Sequence, residues 1–398
     1  MIIKSKIEDF KLNNKIVFFR VDLNTDIING KIINDFKLKA IIPTLNLLIS
    51  KKAKIILATH LARPKDHNPK FSTKIFLKYF NDLEYKIKFY KLEELLENKN
   101  ILENLKKQEI ILLENLRFYK YEKYNAKFLK KDIISFAKKL RSLSDFYISD
   151  AFGSIHRKDT SLYILPKLYD KNHKSIGLLI EKEINILNKL KNSSQKPFLI
   201  ILGGGKVKDK LPLIKKLINI ADYILLCPAL VFTFLKAQNI NIAKSMTEDS
   251  LLDLALNILK IAQDKLIFPI DYQIIINKNI KYTKDSVFPE NSIGASIGPK
   301  TIELFKNKIE NAGTIFINSR MGFDNIAQTL TAFKDLIEII GKSKAYKVAG
   351  GGDSVATIYK YNLENNLDFC STGGGATLTF LISKNLAQLS GLKNIIDS

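Results

Sequence analysis

Four of the six arginines in this chain stand in short polar motifs directly behind apolar runs. They are Arg20 in Arg20-Val-Asp22-Leu-Asn24, Arg63 in Thr59-His60-Leu-Ala-Arg63-Pro64, Arg117 in Glu114-Asn115-Leu-Arg117-Phe118, and Arg157 in Asp150-Ala-Phe-Gly153-Ser-Ile-His156-Arg157. A guanidinium presents a planar fork of donors that fits both phosphate and carboxylate. Four of them, with His60, His156 and Lys37 in the same half of the chain, suit a small polyanion carrying both groups. Asp22 and Asn24 are placed to orient a hydroxyl or a basic neighbour. One such arginine alone reads as an ordinary surface group. The inference rests on four together, in a chain that otherwise prefers lysine.

The second half concentrates glycine instead. Gly203-Gly204-Gly-Lys206-Val-Lys208-Asp209-Lys210, Asn318-Ser-Arg320-Met-Gly322, Gly350-Gly351-Gly352-Asp353-Ser354 and Ser371-Thr372-Gly373-Gly374-Gly375 each follow an apolar run. Glycine lets backbone N–H groups approach a phosphate, and a helix starting just beyond adds partial positive charge. Any one run is equally well a tight turn. Three glycine triplets with Lys206, Lys210 and the acidic Asp353 indicate a nucleotide-phosphate site with a place for Mg²⁺ at Asp353. The first triplet lacks a Walker ending, and no GxGxxG of dinucleotide type occurs. A polyanion site facing a nucleotide site predicts phosphoryl transfer with domain closure to exclude water.

Alternating strand and helix segments must position these motifs. Lys15-Ile-Val-Phe-Phe, Ile55-Ile-Leu-Ala-Thr, Ile110-Ile-Leu-Leu and Phe146-Tyr-Ile-Ser read as buried strands in the first half. Phe198-Leu-Ile-Ile-Leu, Tyr223-Ile-Leu-Leu, Leu266-Ile-Phe-Pro, Thr314-Ile-Phe-Ile-Asn and Ala345-Tyr-Lys-Val-Ala follow in the second. Amphipathic helical patterns lie between them, as at residues 37–51, 125–140, 250–261 and 326–340. Apolar runs without period-two alternation imply sheets covered on both faces, so the fold class is α/β with parallel sheets. Ligands of such sheets bind beyond the carboxyl ends of the strands, which predicts one half-site per domain. The pattern breaks near residues 165–183, the expected domain boundary.

Composition narrows the function further. The chain has 398 residues, 46% of them hydrophobic, which is enough for two or three cored domains and argues against disorder. The apolar stretch 223–235 is broken by Pro228 and falls short of the roughly 18 to 20 residues of a membrane span. The first residues carry no secretory pattern, so the cytoplasm is the expected compartment. Two distant cysteines and four histidines offer few ligands for a structural zinc. The formal charge of +23 invites a nucleic-acid reading, and residues 116–131 interleave Tyr and Phe with Lys as a stacking surface would. Against it, the excess is carried by 57 lysines spread along the chain, as expected of a solvated coat.

The motifs, taken in order, resemble those of phosphoglycerate kinases. RVDLN at Arg20, THLARP at Thr59, LLENLRF at Leu112, SDAFGSIHR at Ser149, LIEKE at Leu179, PFLIILGGGKVKDK at Pro197, FTFLKAQ at Phe232, IGPKT at Ile297, AGGGDS at Ala349 and STGGGA at Ser371 span nearly the whole chain. The resemblance implies a cytoplasmic monomer of two Rossmann-like domains joined by a hinge, with a deep interdomain cleft. An N-terminal domain over 1–170 would bind 3-phosphoglycerate or 1,3-bisphosphoglycerate. A hinge region at 171–185 would lead to a nucleotide domain over 186–384 that takes Mg-ADP or Mg-ATP, and a tail at 385–398 would pack back on the first domain. Carried over residue by residue, Asp22, Asn24, Lys37, His60, Arg63, Arg117 and Arg157 would hold the phosphoglycerate. Gly203, Gly204, Lys206, Lys210, Asn318, Asn325, Gly351, Gly352, Asp353 and Ser354 would hold the nucleotide, with Asp353 on the metal. Lys37, Lys206, Gly373, Gly374 and Gly375 would serve the phosphoryl in transfer.

The chain also departs from the family pattern. Lys37 stands where the family has an arginine, Ala62 replaces a glycine, and Cys227-Pro228-Ala229 replaces a glycine triplet. Asn325 takes the place of the acidic residue expected at the ribose, with Asp324 beside it. These changes leave open a second reading, a family member that has lost efficient catalysis and acts as a binding or scaffold protein.

Overall fold

The strand Ile16–Val21 lies near the middle of a six-stranded sheet, and every neighbour pairs with it or with the next strand in parallel. The spatial order is Ile87–Tyr90, Ile110–Leu113, Lys54–Ala58, Ile16–Val21, Phe146–Asp150 and Lys174–Ile176. In this computed structural model residues 6–123, 125–192 and 195–382 are described, and the expected tail at 385–398 lies outside them. Val17, Phe19, Ile55, Leu57, Ile110 and Leu112 point to one face and pack on Leu38, Leu45, Leu48, Phe76 and Phe80. Phe18, Ile56, Ile111 and Tyr147, on the other face, are equally buried. Both faces are covered, which is why the strands read as unbroken apolar runs.

A second six-stranded parallel sheet has the order Leu266–Ile267, Tyr223–Leu226, Phe198–Leu202, Thr314–Asn318, Tyr346–Ala349 and Phe369–Cys370. By position in the chain this is 3-2-1-4-5-6, the dinucleotide-fold order whose switch point falls between Phe198–Leu202 and Thr314–Asn318. The chain divides into two units between Asn185 and Ile186, inside one helix, Leu178–Asn192. No described helix is long and apolar enough to cross a membrane.

Several elements are not apparent from the apolar runs. Short strands such as Ile87–Tyr90, Lys174–Ile176 and Phe369–Cys370 carry lysine, serine or only two residues, too little for a periodicity. A three-stranded antiparallel sheet, Asn279–Tyr282, Tyr272–Ile276 and Ile293–Ile297, is inserted in the second unit. The helical pattern at 37–51 splits into Phe36–Ala40 and Ile42–Ser50, the second starting with Pro43 in its first turn.

One strand end sets a pH dependence. Burial pushes the Asp150 carboxyl up to about 7, against hydrogen bonds from Thr44, Ile180 and Leu179. An acid with a raised folded-state pKa adds stability in full below about 4 and loses it as pH climbs through about 7. Urea unfolding of Asp150→Asn should therefore show a flatter profile between pH 5 and 8 than the native protein, by on the order of 2 kcal/mol. Identical slopes would mean that Asp150 does not titrate in that window.

Candidate functional site

In the first unit the switch point lies between Ile16–Val21, whose chain leaves toward Lys54–Ala58, and Phe146–Asp150, whose chain leaves toward Lys174–Ile176. The RVDLN and DAFGSIHR motifs follow these two strands, so topology alone brings Asp22 and Ser154 together. Ser154 Oγ donates to Asp22 Oδ2 at 2.9 Å, and Asn24 N–H donates to Oδ1 at 3.0 Å. Lys37 Nζ stands 3.4 Å from the same carboxylate. Burial would raise the Asp22 carboxyl, but Lys37, the Asn24 N–H and Arg20 hold it well below the usual carboxylate range. It is a fixed anion that orients Lys37.

His60 is 1% exposed, and burial drives its imidazole well below its ordinary pKa, with Asp22 opposing and Arg117, Arg20 and Arg157 adding to the effect. Its Nδ1 lies 3.4 Å from Arg20 Nη2. A guanidinium only donates, so Nδ1 accepts and Nε2 carries the proton. His60 is thus a neutral hydrogen-bond donor.

The arginines separate into two kinds. Arg20 is fully buried: Nε donates to Ser161 Oγ at 2.8 Å, Nη1 to the Val21 carbonyl, and Nη2 lies 3.8 Å from Glu122 Oε1. It fixes His60 from behind and is not free for a ligand. Arg117 Nη1 donates to the Ala62 carbonyl at 2.6 Å and Nη2 lies 3.4 Å from Asp159, while its buried Nε has no partner among the described residues. That buried donor is available for a further hydrogen bond. Arg63 is exposed and Arg157 half-buried.

The residues that hold this cluster in place carry little sequence signal. Glu114 accepts from Ser72 and Thr73, and the Asn115 amide donates to the carbonyls of Leu61 and Phe71. Together they pin the loop that bears His60 and Arg63. Glu122 accepts from the N–H and hydroxyl of Ser161 and is raised to about 7 by burial and by Asp159. It sits in the Tyr/Lys-rich segment, where its charge reads as one of many surface groups. The aromatic rings of that segment are already engaged. Tyr121 meets Phe128 at 5.3 Å, Tyr119 meets Phe136 at 5.8 Å, and Lys120 lies over both Tyr121 and Phe128. Among the described residues, Tyr119, Tyr121 and Phe128 pack on neighbours while each stays only partly buried.

Ala62 has φ of 56°, a left-handed conformation that disfavours a Cβ. Its N–H donates to Asn24 Oδ1 at 2.6 Å and its carbonyl accepts from Arg117, so the backbone cannot relax without loosening both residues. Ala62→Gly is expected to raise the unfolding free energy by about 1 kcal/mol, measured by urea titration. An unchanged or lowered midpoint would show that the strain is absent.

In the second unit the glycine motifs gather along one sheet edge. Gly203 N–H donates to the Asn318 carbonyl at 3.3 Å, across the switch point, and Gly204 N–H to the Pro228 carbonyl at 2.8 Å. A Cβ on Gly203 would meet Ser319 Oγ at 2.4 Å and Cys227 Cβ at 2.6 Å. Cys227-Pro228-Ala229 therefore forms the floor of the glycine loop. Lys210 Nζ donates to the carbonyls of Gly203 and Asn318. Burial lowers Lys210 to about 8, with Asp353 opposing, so it stays largely charged at neutral pH. Lys206 precedes helix Val207–Leu217 and pairs with Asp353 Oδ2 at 2.7 Å.

Asp353 and Ser354 lie in the first turn of helix Gly352–Lys360, and Gly375 starts helix Gly375–Ile382. A Cβ on Gly374, whose φ is +54°, would stand 3.4 Å from the Gly352 N, which puts two helix starts side by side. Lys206 and Lys210, both paired with or near Asp353, place a third beside them. Three helix N-termini with two lysines make a strongly anion-attracting edge. Among the described residues no group of three His, Cys, Asp or Glu side chains converges for a metal. Asp353 suits an ion that arrives on phosphate oxygens, since Mg²⁺ is usually bound by one or two carboxylates plus the nucleotide. Asn325 is exposed, whereas Asp324 beside it is held by Arg320 at 2.5 Å and Lys360 at 3.8 Å. The IGPKT motif is a helix start: Asp271 accepts from the N–H groups of Lys300 and Thr301.

A family model described as phosphoglycerate kinase matches residues 7–384. Among curated proteins, the phosphoglycerate kinase of Dictyoglomus turgidum is 38% identical over 98% of both chains. That of Pseudothermotoga lettingae is 36% identical over 99% of both. Among solved structures, the phosphoglycerate kinase of Pyrococcus horikoshii covers 98% of this chain with a TM-score of 0.84 and 27% identity. The structure from Coxiella burnetii covers 99% with a TM-score of 0.79 and 29% identity.

Proposed function

The chain belongs to the phosphoglycerate kinase family, and from that premise we propose how its own residues carry the reaction. The activity is the reversible transfer of the acyl phosphate of 1,3-bisphosphoglycerate to ADP, giving 3-phosphoglycerate and ATP, a step of glycolysis. In the direction of ATP use, a carboxylate oxygen of 3-phosphoglycerate attacks the γ-phosphorus while the bond to the ADP oxygen breaks. The attacking carboxylate is already ionised, so no general base is required. The neutral, proton-bearing His60 fits such a site as a donor.

Asp22, Asn24, Lys37, His60, Arg63, Arg117 and Arg157 are assigned to the phosphoglycerate, with Lys37 also reaching toward the transferring phosphoryl. Gly203, Gly204, Lys206, Lys210, Asn318, Asn325, Gly351, Gly352, Asp353 and Ser354 are assigned to the nucleotide. Asp353 would hold the Mg²⁺ that comes with ADP or ATP, and the bound ion would supply neutralisation of phosphate charge. Lys206 and the glycines Gly373, Gly374 and Gly375 are assigned to the charge of the phosphoryl in flight, where fixed donors act most strongly. Of the three, Gly373 gives its N–H to Ser371 Oγ at 3.1 Å and contributes by shaping the loop. The two half-sites are assigned to separate units, and in-line transfer between them is read as working through a hinge. The enzyme is proposed to work as a cytoplasmic monomer.

The carrying observation is the division of labour: an arginine-rich cluster at one sheet edge, and glycine-lined helix starts with a lysine pair at the other. Calorimetry of Arg63→Ala tests it. The variant should bind 3-phosphoglycerate about tenfold or more weakly and Mg-ADP as before. Equal losses for both ligands would overturn the assignment.

A further inference from the structure

Asp150 has no place in either half-site, yet it is buried at the end of the strand whose loop delivers Ser154 and Arg157. Its carboxylate accepts the N–H of Ile180 at 3.1 Å, in the first turn of helix Leu178–Asn192. Gly177 makes this approach possible, because a Cβ there would lie 2.2 Å from the carboxylate. Thr44 joins the same point: its Oγ1 accepts the Leu178 N–H at 2.9 Å, and its hydroxyl is among the polar groups that hold the Asp150 carboxyl down against burial. Thr44 lies in helix Ile42–Ser50, directly after the turn that carries Lys37. The Gly177 N–H meanwhile donates to the Ser149 carbonyl at 2.8 Å. The first turn of this helix is thus held by the two chain segments that supply Arg157 and Lys37. It is also the helix in which the chain leaves the first unit for the second.

We propose that Asp150, with Thr44, is a positioning residue for phosphoryl transfer, tying the start of helix Leu178–Asn192 to the elements that grip phosphoglycerate so that occupancy of the cluster is felt in that helix. The proposal rests on the reading that Lys37 and Arg157 hold phosphoglycerate. It needs no new ligand and no new chemistry. Rigid carboxylate and hydroxyl contacts, buried where water cannot substitute, are a physically contiguous route for such coupling.

The test is hydrogen exchange of the amides at 178–183 at pH 7.5, with and without saturating 3-phosphoglycerate, on the full chain. In the native protein the ligand should slow this exchange about fivefold or more. In Asp150→Asn, and in Thr44→Val, which removes a single hydroxyl and preserves shape, the slowing should fall below about twofold. The dissociation constant for 3-phosphoglycerate should stay within about threefold, while kcat falls about tenfold with little change in KM. Ligand-linked slowing that persists in both variants, or an unchanged kcat in both, overturns the proposal. A purely structural role would lower stability without this split. If Asp150→Asn does not fold, Thr44→Val decides alone. Calorimetry on Arg157→Ala checks the underlying reading separately: unaltered phosphoglycerate binding there would remove the assignment of Arg157 whatever the exchange data show.

Discussion

Lys206→Ala should lower kcat by about 10² to 10³-fold, the loss typical when one preorganised charge at the transition state is removed, with 3-phosphoglycerate affinity unchanged. Lys206 stands at the start of helix Val207–Leu217, 2.7 Å from Asp353, with both side chains more than half exposed. An exposed pair of this kind contributes less than about 1 kcal/mol to stability. The variant should therefore fold and melt like the native protein, and the deficit should appear in turnover. Lys210 cannot take over, because its ammonium is engaged by the Gly203 and Asn318 carbonyls. The measurement is a coupled assay at saturating 3-phosphoglycerate and Mg-ATP, with Lys206→Arg alongside. A kcat within tenfold of native would remove Lys206 from the catalytic role.

Arg117→Ala should have the second large effect, on both stability and substrate. The guanidinium is 7% exposed and is the cation beside Asp159, which in turn raises the Glu122 carboxyl. Without it two buried carboxylates face each other with one cation fewer, and breaking such a pair commonly costs about 3 kcal/mol or more. The Ala62 carbonyl loses its partner as well, which frees the strained loop that carries His60 and Arg63. KM for 3-phosphoglycerate should rise about a hundredfold, while Mg-ADP binding is retained. The stability loss should shrink at pH 6, because Glu122, raised to about 7, is protonated to a greater extent there than at pH 8. Arg117→Lys should recover part of the stability and little of the substrate affinity, because an ammonium cannot bridge Ala62 and Asp159 while offering a fork. Loss of stability with unaltered KM would confine Arg117 to the scaffold.

The two alternative readings fare differently for physical reasons. Among the described residues, Tyr121 packs on Phe128 and Tyr119 on Phe136, with the Lys120 ammonium over the first pair, so part of the aromatic surface of that segment is spent on packing. The departures that suggested a weakened enzyme are accommodated locally. Cys227 and Pro228 underlie Gly203 and Gly204, and Lys37 meets Asp22. Nothing in the comparisons favours a scaffold role, and the family's activity is retained as the reading.

Much was legible in the chain because the chemistry is local. Wholly apolar runs such as Phe198–Leu202 and Thr314–Asn318 announce strands buried on both faces, and a polar motif behind each run marks the carboxyl edge. Residue type then separates the edges, since forked guanidinium groups and glycine-lined lysines suit different anions. The sequence by itself therefore determined the parallel α/β class and the family its ordered motifs resemble. What only the tertiary structure decided was which charges are free. Arg20 and Arg117 read alike in sequence, yet Arg20 lies within its strand and is consumed by Glu122, Ser161 and Val21, whereas Arg117 lies in the turn after its strand and keeps an Nε without a partner among the described residues. The strand order that joins Asp22 to Ser154, and the contact of Asp150 with a helix 30 residues later, also belong to the fold. Side-chain type is set residue by residue, but a group's partners and its solvation depend on segments far away in the chain, and those fix whether a charge binds a ligand or holds the protein together.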